Sequence, residues 1–123
     1  MSTPQYAFVN VAASQTDAVV VPAVAAQVRI RVLGVTFVAG GTATNATFNS
    51  KGSGAGTAIT CLFANSANGG AVLPVTPASP EESIAPGWFQ TLPGQALTVT
   101  TGSGSTTGIV LVWTPDTPSW KTP

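Results

Sequence analysis

Histidine is absent from this chain, and the absence excludes a good deal of chemistry. Without imidazole there is no Ser-His triad, no usual general base and none of the commonest metal ligand. Ionised groups are nearly as scarce: four Lys and Arg stand against four Asp and Glu in 123 residues, a formal net charge of zero. Charged residues make up 7% of the chain, where about 25% is usual, so no basic stripe can neutralise phosphates and no nucleic-acid partner is expected. Cys61 is the single cysteine, which rules out an intrachain disulfide. One thiol and four scattered carboxylates make no zinc site, and a calcium site of backbone carbonyls would leave no signature. No cofactor is expected. The longest apolar stretch, around Ala18 to Ala26, is short and interrupted by Pro22, so no membrane span is expected. The opening MSTPQYAF lacks the basic and continuous apolar regions of a signal peptide.

What the chain does contain is 44% hydrophobic residues, with 13 Gly and 10 Pro as punctuation. That mixture belongs to many short strands joined by tight turns. The organising stretch is VRIRVLGVTFV, Val28 to Val38. Val28, Ile30 and Val32 alternate with Arg29 and Arg31, and then Leu33, Val35 and Phe37 become the apolar set. A one-residue slip reverses every side chain, so a bulge near Leu33-Gly34 is expected to absorb it.

Strands are also expected at Tyr6 to Ala13, Asp17 to Val21, Thr44 to Asn49, Ala58 to Ala64, Ala71 to Val75, Trp88 to Thr91, Ala96 to Thr101 and Gly108 to Trp113. Gly40-Gly41 reads as a tight reversal into the Thr44 strand, and Gly102 to Ser105 as the turn of a hairpin. No useful helical period occurs. The expectation is an all-β chain: one β-sandwich of about eight strands, with jelly-roll connection, over residues 6–114. Residues 1–5 read as an N-terminal arm and 115–123 as a Pro-rich C-terminal tail.

Each chemically suggestive feature has a plainer explanation. Glu81-Glu82 are adjacent, so on an extended segment they point apart and read as a solvated acidic loop. The glycine run Gly52 to Thr57 lacks the Lys-Ser/Thr of a phosphate loop and reads as a hairpin tip. Cys61, inside TCLFA, reads as a small buried thiol. Arg29 and Arg31 read as solvated or paired charges on an outer sheet face. In the last strand Ile109, Leu111 and Trp113 form one apolar face, yet Val110 and Val112 make the other face apolar too. Such a strand is central, or its outer face meets another subunit. Trp120 sits beyond the last strand and either folds back onto its own domain or fills a pocket on a neighbour. Expected interface residues are therefore Trp120, Val110, Val112, Arg29 and Arg31.

Three segments together carry a resemblance: IRVLGVTFVAGG from Ile30, NATFNS from Asn45, and PGWFQTLPGQALTVTTGSGSTTGIVLVW from Pro86 to Trp113. They are similar to a group of small structural proteins of tailed bacteriophages, in which an "IRVLS" strand precedes a "GWFET-x-x-GEAL" segment and a final apolar strand. Gln90 and Gln95 depart from that pattern, where acids are expected. The resemblance implies a small β-sandwich, commonly a homotrimer, acting as a capsid decoration (cement) protein. It implies a non-enzymatic role on the outer surface of the virion capsid, bridging copies of the major capsid protein, with assembly in the host cytoplasm. A receptor- or carbohydrate-binding module of a head or tail fibre is the alternative, suggested by Trp88, Tyr6 and the Gly/Ser loops.

Overall fold

In the computed structural model, which describes residues 4–76 and 87–116, the long organising strand does bend where its apolar phase slips. The described strands, in chain order, are β1 (Gln5–Val11), β2 (Ala18–Val21), β3 (Arg29–Ala39), β4 (Thr44–Lys51) and β5 (Thr57–Ala58). They continue with β6 (Phe63–Asn65), β7 (Gly70–Leu73), β8 (Phe89–Gln90), β9 (Ala96–Thr101) and β10 (Thr107–Asp116). All described strand pairs are antiparallel and form two sheets. The first has the order β1-β10-β3-β7, with β8 also on β3; the second has β2-β9-β4-β5, with β6 also on β4. The protein is an all-β sandwich.

In the β3–β10 ladder Gly34 opposes Val112 but Val32 opposes Trp113, which leaves Leu33 as the extra residue. This bulge keeps Ile30 and Val32 on the same inner face as Val35 and Phe37, all four of them buried. From the second sheet, Ala46, Phe48, Leu97 and Val99 meet them. Four phenylalanines anchor the contact. The Phe48 ring centroid lies 6.0 Å from that of Phe37, 6.4 Å from Phe63 and 5.2 Å from Phe89.

Both expected reversals prove to be crossings. β3 and β4 lie in different sheets, and so do β9 and β10. Each has its own neighbours on both sides: β9 lies between β2 and β4, and β10 between β1 and β3. A Gly/Ser run spans a gap between sheets as readily as it closes a hairpin, so the composition of the connection does not choose. The two crossings share one end of the sandwich, where Gly40 N donates to Thr106 O at 2.9 Å and Gly102 N to Asn45 O at 3.0 Å.

The expected strand Ala58 to Ala64 is also divided. The Thr60 hydroxyl accepts from Phe48 N at 3.1 Å and so takes a place that a backbone carbonyl would fill in a continuous ladder. The chain leaves the sheet there, and Cys61 is exposed rather than buried. At the ends, β1 begins at Gln5 and β10 continues to Asp116, inside the stretches read as arm and tail.

Candidate protein-docking face

The outer surfaces of the two sheets differ in kind. On the second sheet the outward residues Thr98, Thr100, Asn49 and Asp17 satisfy one another. The Asp17 carboxylate accepts from Gly56 N (3.0 Å), Thr98 Oγ1 (3.0 Å) and Asn49 Nδ2 (3.1 Å). The Gly56 amide is the strongest influence holding its carboxyl below the usual 3.8; burial, next in size, opposes it, and the Thr98 and Asn49 side chains and the Lys51 charge add to the lowering. Asp17 adopts a left-handed backbone (φ 54°), which Asp tolerates better than most residues and which aims the carboxylate across the sheet. This network joins the 52–56 loop to the sheet. Its hydrogen-bonding groups are occupied by one another, which makes it a structural staple.

The first sheet is the opposite. Strand alternation puts Ile109 and Leu111 of β10 inward, so Val110 and Val112 face out. Register sets Phe8 beside Val110 and Tyr6 beside Val112 on one flank, with Thr36 and Gly34 on the other. Val72 follows beside Thr36. Beyond β7, Val75 lies over Gly34: a Cβ on that glycine would fall 2.7 Å from Val75 Cγ2 and 2.8 Å from Val75 Cα. Only glycine admits this close approach. The result is a face of aromatic and branched aliphatic side chains, with Tyr6 71% and Phe8 72% exposed and Val72 and Val75 62% exposed.

Among the described residues, charge appears at one end of this face. There Arg29 opposes Asp116 across the ladder, and Arg31, two residues on, is ion-paired with Asp116. The other end, at Asn10, Gly108 and Val38, carries none. Sequence expectation had singled out Val110, Val112, Arg29 and Arg31, and the fold brings these four onto one surface. Trp120 and Glu81-Glu82 lie outside the described residues. Phe8, Val72 and Val75 were not singled out; the period-two apolar pattern of Tyr6 and Phe8 was visible, but only pairing with β10 shows which way it points. Trp88 stands at the rim and donates its indole N–H to Pro74 O at 2.7 Å. Phe89, next to it, packs against the core.

A shallow groove of about 170 Å³ runs along the face between Val75 and Val110, lined by Gly34, Thr36, Val72, Pro74 and Val112. Pockets for small organic ligands usually enclose about 300–1,000 Å³ and converge several polar groups. This one is smaller, apolar and open, a shape suited to a protein side chain. Among the described residues no three His, Cys, Asp or Glu come together. No described helix is long and apolar enough to cross a membrane. No protein-family model, curated protein or solved structure matches this chain.

Proposed function

We propose that this chain is a capsid decoration, or cement, subunit of a tailed bacteriophage, a non-enzymatic part of the virion's outer surface. The observation that carries the reading is the first sheet's outer face: apolar, open, and, among the described residues, charged at one end. A monomer in water gains nothing from such a face, whereas an assembly subunit uses it for protein contact. The phage-like segments supply the identity of the assembly. Two of them lie on strands that build the face, β3 and β10, and NATFNS forms the centre of β4 beneath it. The sheet-to-sheet alternation of the chain also supports a jelly-roll winding, the fold expected from that resemblance.

Physically, a cement subunit holds neighbouring copies of the major capsid protein together against the pressure of packaged DNA. Several weak contacts made at once give avidity without one strong site. The test is co-sedimentation of the purified chain with expanded, DNA-free shells of the phage that encodes it. Binding should saturate and raise the shell's melting temperature; free chain in the supernatant at every concentration overturns the proposal.

One observation favours the alternative of a carbohydrate-binding module. The Tyr6 and Phe8 rings lie nearly parallel, 7° apart with centroids 6.4 Å apart, and both are exposed, as in a platform for a sugar ring. Their ladder neighbours Val112 and Val110 offer a sugar hydroxyl no side-chain hydrogen bond. Specific hits on a glycan array would favour this second reading.

A further inference from the structure

We propose that the apolar outer face of the first sheet is covered by a second copy of this chain, the two sheets packing face to face about a two-fold axis. This rests on reading that face as a protein-docking surface, and it names the partner.

Area is the first argument. Tyr6, Phe8, Val38, Val72, Val75 and Val110 are each 45–72% exposed. With full side-chain areas of roughly 200 Å² for an aromatic and about 140 Å² for valine, they expose about 590 Å² of largely apolar surface. A standard interface takes about 800 Å² from each partner, of which about 65% is apolar in homodimers, or roughly 520 Å². The face supplies what one side of a homodimer needs.

Charge is the second argument. A two-fold contact sets each patch against itself, so a charge near the axis would meet its own image. Among the described residues, the face carries none around Val110. An axis in the plane of the sheet and across the strands lays the Arg29, Arg31 and Asp116 end of one copy over the Asn10, Gly108 and Val38 end of the other. Like charges then stay at opposite ends of the contact.

The third argument is the contrast between the two sheets. A head-to-tail contact joins two different patches, and against this apolar face it would bring a surface such as the exposed 52–55 loop of the second sheet, tied through Gly56 to Asp17. Burying apolar side chains against polar groups gains little. Another copy of the face matches it in apolar character across its whole width, where the other exposed apolar residues described, Val19, Val24, Leu62 and Leu92, do not belong to this sheet, and sheets stack well at about 10 Å. A pair differs from the three copies that the phage resemblance implies.

Sedimentation of the full chain alone, from 2 to 200 µM, tests this. The expected result is a reversible species of twice the 12.3 kDa chain mass. Val110→Lys at the centre of the face, or Phe8→Ser beside it, should shift the midpoint of association by at least 50-fold. Both side chains are well exposed, and unchanged β-type circular dichroism confirms folding; Phe8→Ser, at the edge strand, stands in if Val110→Lys fails to fold. Val19→Lys, on the second sheet, should still pair. A wild-type monomer at 200 µM, a closed trimer, or a dimer indifferent to both substitutions overturns the inference. Capsid shells play no part in this measurement. A dimer that binds no shell therefore sinks the cement reading alone, and a monomer that binds shells sinks only the pairing.

Discussion

Gly34→Ala should destabilise the protein by about 2 kcal/mol, although alanine is the smallest possible addition. The new Cβ would sit 2.7 Å from Val75 Cγ2, 2.8 Å from Val75 Cα and 2.9 Å from Val75 N. Two of these atoms are backbone, so no rotamer change relieves the clash. Nor is the backbone free to retreat: Thr76 N donates to Leu33 O at 3.0 Å and holds the segment down. Overpacking of this kind costs about 1–3 kcal/mol, and a weakened hydrogen bond about 1 more. The smaller unfolded-state entropy of alanine offsets about 0.4–1 kcal/mol. At about 2.1 cal/mol/K of unfolding entropy per residue, a net 2 kcal/mol lowers the melting temperature by about 8 °C. Urea unfolding followed by tryptophan fluorescence reads the change as a shifted midpoint at constant slope. Gly41→Ala is the internal control, because nothing lies within 4 Å of a Cβ there, and it should move stability by less than about 0.5 kcal/mol. Equal effects at the two glycines would refute the claim that Val75 is fixed on the outer face.

Two further outcomes test the interior and the polar sheet. Phe48→Ala should cost about 3–5 kcal/mol in urea unfolding, since the ring is fully buried against Phe37, Phe63 and Phe89; a loss under about 1 kcal/mol would show a core able to collapse around the gap. Asp17 should make stability pH-dependent in acid. Its native carboxyl titrates below the usual 3.8, so between those two values the unfolded chain binds more protons and stability rises with pH. The contribution is complete above the usual value and disappears as pH falls through the lowered one. Asp17→Ala should cost about 1–3 kcal/mol at pH 7, because the buried Thr98 hydroxyl loses its acceptor, and should flatten that part of the acid profile. An acid profile identical to wild type would remove Asp17 from the account.

The features legible in the sequence are those that one strand records by itself. The slip from Ile30 and Val32 to Val35 and Phe37 must be absorbed within β3, so the bulge at Leu33 was readable. The apolar character of both faces of β10 was readable for the same reason, and it pointed to Val110 and Val112. Connectivity was not, because Gly40-Gly41 and Gly102 to Ser105 satisfy turn chemistry whether the chain stays in its sheet or leaves it. Cys61 was misplaced because a hydroxyl one residue earlier, on Thr60, replaces a ladder carbonyl, an event with no mark in the apolar pattern.

The docking face lies between these cases, and its partial legibility follows from how it is made. Its columns alternate visibly in β1 and β10, but its groove comes from Val75 lying on Gly34, 41 residues earlier in the chain. The Asp17 network is longer-ranged still, joining Asn49 and Thr98 across two strand pairings. Local alternation announces that a surface is apolar; only long-range register decides that the apolar columns fall side by side. Phe8, Val110, Thr36 and Val72 form one continuous row because three ladders hold that register together. A one-residue shift in any of them would scatter the row between core and solvent, leaving no face for a partner to cover.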